Sequence, residues 1–442
     1  MSWTHVIAPY QLFETEAIKS VGVQSPSQWS MNIWEVTNDF PHGRTPFFEI
    51  HPEYLRTKAA LRIVFTSLDL PLRESAPQLV RLCDALSIPP EFLAERLQSV
   101  SHSFGSRTDQ HGFCTWFHFL CKNIELKLDV MGRKVIDNRA PKHGQHSRSL
   151  PMADYTWQRS GFFLRKDNEG NLTLVCFGAT PKVRKRLDAL IEAGAWRDIM
   201  TEPYILFDLI LDGLFVEVDN TVWSMNDVFG PLEHRILDVA DKENMRKVSN
   251  KINFAELHNC AKHIIHIHEA VDSCILVVDG TLSRLNDDNT QPNPHPLILK
   301  QLHETLQYRR SLFKSTKLRL GSLQKRIDNA INLSFNLVTQ QDSMLMIQDS
   351  TSMKIISVIT MFFLPTTGVA TIIGSQLFVA TLNDPSNQAG GGWDIATSPL
   401  FLTMWYIAVP LTCLVVLFAA FFQCIQTKKV YVLRNMFLLI GY

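Results

Sequence analysis

Charge is missing from the end of this sequence of 442 residues. Ile355 to Asn383 contains no Asp, Glu, Lys or Arg, and neither does Ile395 to Thr427. An uncharged, largely apolar run longer than about 20 residues can cross a bilayer as a helix. Between these runs, Val379 to Ser398 has no Lys or Arg and carries only Asp384 and Asp394 as charges. Cysteine is sparse and scattered. The eight cysteines form no CxxC pair and no spacing typical of a zinc knuckle or disulfide framework, so reduced thiols in a cytosolic domain are expected. Net charge is absent too, 43 Lys and Arg against 43 Asp and Glu, which removes any charge-based reason to expect a nucleic-acid partner. No phosphate-cradling glycine loop, metal-ligand set or nucleophile motif is present, and the expectation is that the chain is not an enzyme and has no cofactor. The first twenty residues have no basic segment followed by an apolar core, so no signal peptide is expected. They also lack Arg and carry Glu14 and Glu16, which argues against a mitochondrial transit segment.

The charged residues lie almost wholly before position 355. Residues 1–55 read as a variable N-terminal segment, and 56–200 as a cytosolic domain with strands and helices interleaved. Leu61–Leu68 is β-branched and apolar, a strand candidate. Ala76–Ile88 and Glu91–Val100 read as short helices, and His111–Val130 as an aromatic-rich strand region. Residues 136–153 read as a basic loop. Gly161–Ala179 reads as a hairpin turning at Asp167–Gly170, with a helix from Pro181 behind it. From Pro203 the pattern is helical. Leu206, Ile210, Leu214, Val218, Val222, Met225 and Phe229 step by three and four along one face. Asp208, Asp212, Glu217 and Asp219 read as a solvated face of the same helix. Residues 252–285 are a second helix, broken by the Pro- and Asn-rich 286–296. Its His258, Cys260, His263, His266 and His268 read as ordinary polar positions, because they do not share a face at metal-ligand spacing.

From Leu297 no proline occurs until Pro365, about 100 Å of possible helix at ~1.5 Å per residue. Its expected interior stripe is Leu320, Leu323, Ile327, Ile331, Phe335 and Val338. Residues 201–352 are thus a helical and stalk region, 353–378 a first transmembrane helix, 379–398 an external loop, 399–424 a second transmembrane helix and 425–442 a cytosolic tail. Lys314, Lys317, Arg319, Lys325, Arg326 and Lys354 precede the first span, and Lys428, Lys429 and Arg434 follow the second. With a base-free loop between, both termini are expected in the cytosol. Internal spans without a leader point to the plasma membrane in preference to the mitochondrial inner membrane.

The two spans differ. The second is mostly aliphatic and aromatic and suits lipid. The first carries Ser357, Thr360, Thr366, Thr367, Thr371, Ser375 and Gln376, which are costly against lipid. Met353, Ile356, Thr360, Leu364, Thr367, Thr371 and Gly374 are separated by 3, 4, 4, 3, 4 and 3 and share one helix face. The same spacing reaches back through Asp349 and Met346 to Asp342. Such a face either lines a water-filled path, with the acids at its inner mouth, or packs against a neighbour with its threonines bonded to their own helix. Spacing alone leaves both open.

Three stretches resemble the CorA superfamily of divalent-cation transporters, in wording most similar to its fungal CorA-like branch with the zinc-transporting ZntB-like members. They are Glu202–Val228, Glu256–Ser273 and Ser352–Phe378, the last being the most specific. The 161–178 hairpin is also similar, and the resemblance runs over roughly residues 60–430. It implies an α+β cytosolic domain, a long helical stalk and two C-terminal transmembrane helices, assembled as a homopentameric funnel in a lipid bilayer. It implies transport of Mg²⁺ or Zn²⁺, with Met353, Ile356, Thr360, Leu364, Thr367 and Thr371 along the pore. The family has Gly-Met-Asn, or Gly-Ile-Asn in zinc-type members, after this helix. Here Gly374, Ser375 and Gln376 stand there as the selectivity mouth. The departure motivates a second expectation, a non-conducting scaffold or cation sensor of the same architecture.

Overall fold

The computed structural model describes residues 31–46, 52–66, 76–97, 100, 102–124, 126–130, 132–136, 156–241, 252–288, 296–373, 378–382 and 393–440. The chain divides into two compact units, Met1–Leu337 and Val338–Tyr442.

In the first unit, β1 (Met31–Val36) and β2 (Leu61–Thr66) are followed by helices α1 (Ala76–Ala85) and α2 (Pro90–Leu97). Then come β3 (Ser103–Asp109), β4 (Gly112–Asn123), the short β5 (Leu126–Leu128) and β6 (Lys134–Ile136), and the hairpin β7 (Thr156–Lys166) and β8 (Leu172–Phe177). One six-stranded sheet has the order β1-β2-β8-β7-β4-β3. Its neighbours are antiparallel except β2 and β8, which pair in parallel from Leu61↔Leu172 to Thr66↔Phe177. Strand β1 falls inside the stretch read as a variable N-terminal segment. Its Ile33, Trp34 and Val36 are buried, and Glu35 is buried with them. The β7–β8 turn forms as expected. Asp167 Oδ1 accepts from the amides of Glu169 and Asn171, and Gly170 supplies the left-handed residue at φ 87°. The expected loop at 136–153 lies, beyond Ile136, outside the described residues.

One sheet face packs on α1 and α2 through Val64, Trp116, Phe163, Val175, Leu79, Leu82 and Phe92. Helix α3 (Pro181–Ala193) starts on the Thr180 cap, whose Oγ1 accepts from Val183 N, and stops at Gly194 with φ 64°. After the short α4 (Trp196–Thr201) comes α5 (Ile205–Asp241). On the opposite sheet face Phe117 meets Phe162 and Phe207, the latter from α5. The periodic face of α5 is buried at all seven expected positions, Leu206 to Phe229. Helix α3 crosses α5 closely at Gly213, where a Cβ would stand 2.6 Å from Val183 Cα. Helix α6 (Phe254–Asp288) packs on β3 and β4 as well as on α5.

Helix α7 runs Pro296–Ile373 as one element, about 117 Å at ~1.5 Å per residue. From Leu320 on, its buried seam in the first unit is Leu320, Leu323, Ile327, Ala330, Ser334 and Leu337. The expected stripe is therefore corrected beyond Ile327, since Phe335 is 68% exposed and Ile331 and Val338 are only partly covered. Steps of three and four hold a seam in register, while successive steps of four rotate off it.

The second unit holds the rest of α7, an antiparallel pair β9 (Phe378–Leu382) and β10 (Trp393–Thr397), and α8 (Pro399–Ile440). Thus the stretch expected as an external loop is partly a two-stranded ladder, registered from Trp393↔Leu382 to Thr397↔Phe378. Helix continues through most of the expected C-terminal tail. Two helices are long and apolar enough to cross a membrane. One is α7 and the other is α8 over Pro399–Phe418.

Candidate functional site

The polar face of α7 lies wholly within the second unit. Val369 is 9% exposed and packs on Met404 and Ala408 of α8, with Ala370, Leu400 and Phe401 around it. On a helix of 3.6 residues per turn Val369 stands opposite Thr367 and Thr371. The expected stripe therefore points away from α8. Met353, Ile356 and Leu364 are 69%, 63% and 68% exposed, and Thr360, Thr367 and Thr371 are exposed as well. Among the described residues, nothing covers this row of six side chains.

The threonine hydroxyls are tied down locally. Thr360 Oγ1 donates to Ile356 O at 2.8 Å, Thr367 Oγ1 to Phe363 O at 2.7 Å and Thr371 Oγ1 to Thr367 O at 2.6 Å. Each hydroxyl proton is thus spent on the helix, and the oxygen lone pairs remain to face outward. Of the two readings that spacing left open, the backbone bonds are therefore real. They do not exclude the first reading, because an oxygen whose proton points inward is an acceptor for a cation or its water shell. Asp342 and Asp349 are exposed on the same helix and form no ion pair among the described residues. Gly374, Ser375 and Gln376 lie outside the described residues.

In the first unit the acidic residues of α5 are not a solvated face. Asp208 and Asp212 face Arg309 of α7. Asp212 also takes Arg186 of α3 at 2.5 Å. Asp219 pairs with Arg319 and accepts from Thr316 Oγ1 at 2.9 Å. Farther along, Glu233 pairs with Arg326, which also donates to Asn226 Oδ1 at 3.1 Å. Burial pushes the Asp208 carboxyl above its usual range although Arg309 draws it down, and burial likewise raises Glu217 against the pull of Lys182. The correction has a simple cause. Asp212, Asp219, Asn226 and Glu233 are seven residues apart, a spacing that matches two helices lying side by side, and Arg319 and Arg326 repeat at seven on α7. That signal was available in the sequence, but it needed both helices to be read together. These carboxylates are neutralised by guanidinium groups and are not open cation ligands. The histidines of α6 do not converge either. His263 is fully buried, His266 Nδ1 contacts Glu269 Oε2 at 3.1 Å and His268 contacts Asp272 at 3.5 Å. No group of three or more metal-ligating side chains occurs among the described residues.

Residues 178–378 match a family model described as CorA-like Mg2+ transporter protein. A curated relative, Notoamide biosynthesis cluster protein M′ from Aspergillus versicolor, is 26% identical over 281 residues, 59% of this chain and 58% of that protein. The match thus spans little more than half of the relative's own length. Among solved structures, the complete CorA magnesium transporter of Methanocaldococcus jannaschii is similar at 12% identity and TM-score 0.38, covering 90% of this chain and 98% of that one. The full-length CmaX protein is similar at 12% identity and TM-score 0.42, with coverages of 91% and 97%. The ZntB cytoplasmic domain of Vibrio parahaemolyticus is similar at 10% identity and TM-score 0.32, with coverages of 71% and 96%. The matched residues 178–378 contain both the arginine-tied helices and the threonine face.

Proposed function

We propose, starting from a chain that belongs to the CorA superfamily through residues 178–378, that it is a channel-type transporter of divalent cations, Mg²⁺ or Zn²⁺. The observation that carries this reading is the exposed row Met353, Ile356, Thr360, Leu364, Thr367 and Thr371, set opposite the Val369 face that meets α8. A row of outward acceptors alternating with apolar rings, on a helix apolar enough to span a bilayer, has the chemistry of a pore wall. Copies of α7 around one axis, five in a homopentamer, bring these rows together. Thr360, Thr367 and Thr371 then accept from the water shell of a passing ion, and Met353 and Leu364 form the constrictions. Asp342 and Asp349 raise the cation concentration at the inner mouth, because unpaired carboxylates attract divalent ions over a Debye length of about 8 Å in physiological salt. Gly374, Ser375 and Gln376 form the outer mouth, the termini lie in the cytosol, and the plasma membrane is the expected location. The chain acts as a transporter and not as an enzyme.

The direct measurement is divalent flux into liposomes holding the purified full-length protein. Flux that depends on protein, and that drops about tenfold when Leu364 is replaced by Lys, is the expected result, since a ring of cations repels the ion. Flux no greater than in empty liposomes, under any gradient or potential, overturns the proposal.

A further inference from the structure

Beside the threonine face, α7 and α8 enclose a groove of about 710 Å³. Its walls are Val358, Met361 and Phe362 of α7 and Val416 of α8, and at one end stand Lys354 and Asp349. The apolar walls are soft, since methionine adapts its shape at little cost. Lys354 carries the last charge before the uncharged run, so it sits where a span meets lipid headgroups. It forms no ion pair among the described residues, and neither does Asp349. The two are five residues apart, about 7.5 Å along the helix axis. Ser357 is not a free donor here, because its hydroxyl is bonded to Met353 O at 2.8 Å.

We infer that this groove seats one zwitterionic aminophospholipid, its phosphate on Lys354, its ammonium toward Asp349 and an acyl chain along Val358, Met361, Phe362 and Val416. An apolar trough that ends in one cation and one carboxylate complements such a headgroup. A purely anionic lipid would meet Lys354 but would be repelled by Asp349, and a bare hydrocarbon would leave both charges without a partner. The inference rests on the reading that α7 and α8 span a membrane; where the lipid is bound its ammonium occupies Asp349, and Asp342 remains as the acid of the inner mouth. It does not require that the protein conducts, so the two fail separately. Flux without a retained lipid overturns only the lipid site, and a retained lipid without flux overturns only conduction.

The test is native mass spectrometry of the full-length protein after exchange into micelles containing phosphatidylethanolamine, phosphatidylglycerol or both. One phosphatidylethanolamine per chain is expected to survive activation that strips other lipids. Lys354→Gln is expected to lower that occupancy about tenfold, the size of one charge-assisted contact, while Lys354→Arg retains it. Asp349→Asn is expected to abolish the preference for phosphatidylethanolamine over phosphatidylglycerol. Val416→Trp fills the apolar end and is expected to expel the lipid with Lys354 intact, in protein that elutes at the wild-type position. Four results overturn the inference: no retained lipid, retention indifferent to both Lys354→Gln and Val416→Trp, a wild-type preference for phosphatidylglycerol, or copies cross-linked through Val358→Cys in the lipid-loaded protein, which would mean that a second chain fills the groove.

Discussion

Glu35 has no exposed surface, yet it stands on strand β1, at the edge of the sheet. Its Oε2 accepts from Arg62 Nη2 at 3.0 Å, its Oε1 accepts from Arg44 Nη2 at 2.9 Å, and the Tyr54 hydroxyl donates to Oε1 as well. Burial alone would raise its pKa, but these donors outweigh it and hold the carboxyl below its ordinary 4.5. The sign of the pH effect follows. A carboxylate with a lowered folded pKa stabilises the fold above the unfolded value, and that stability is lost as pH falls from about 4.5 through the folded pKa. Glu35→Gln is therefore expected to flatten the acid limb of a thermal unfolding profile. At neutral pH it should cost on the order of 3 kcal/mol, because Arg62, 2% exposed, keeps its charge with no anion beside it. An acid limb identical in wild type and variant would show that Glu35 is not the group titrating. None of this was legible in the sequence. A single Glu inside Met31–Val36 gives no periodic signal, and its three partners come from three other places in the chain.

At the scale of elements the same contrast has a physical cause. Helix α5 was readable because its buried residues are large, apolar and regularly spaced from Leu206 to Phe229. Helix α7 was readable in length but misread in phase after Ile327. The true seam there uses Ala330 and Ser334, small residues that look like surface. Ser334 is tolerated at zero exposure because its hydroxyl donates to Ala330 O at 2.7 Å. Phe335, by size the obvious core residue, is 68% exposed. Paired substitutions separate these positions. Ile327→Ala removes a fully buried side chain and is expected to cost about 2–4 kcal/mol in unfolding of the detergent-purified protein. Phe335→Ala at matched conditions should stay within about 0.5 kcal/mol, as exposed positions do. Equal losses at both sites would mean that Phe335 is covered in the assembled protein and that α7 has a second packed face.

For the whole molecule, the stretch with the most consequence for ion choice is the one that sequence reads and structure leaves undescribed. The threonine face ends at Thr371, and the chain then passes through Gly374, Ser375 and Gln376 before β9 begins at Phe378. In the proposed pore, Gly374 would supply the conformational freedom for carbonyls to turn to a mouth. Gln376 offers the same amide as Asn on a side chain one methylene longer, and Ser375 beside it is small. Mg²⁺ gives up water reluctantly, so a ring that selects it must fit the hydrated ion with amides held at fixed distance. A longer amide stem with a small neighbour has more rotamers to lose on ordering, which costs affinity and weakens discrimination by size. The double change Ser375→Met with Gln376→Asn is therefore expected to sharpen selectivity and leave the fold intact. In liposomes the wild-type protein should pass Mg²⁺, Zn²⁺ and Co²⁺ within about tenfold of one another, a gap below roughly 1.4 kcal/mol. The double variant should favour Mg²⁺ by more than that. If only the double variant conducts at all, the native chain is the non-conducting scaffold or sensor, and its threonine face serves packing between copies. If the two proteins show the same ion preference, the mouth does not select, and discrimination belongs to the ring at Leu364 and Thr367 within α7.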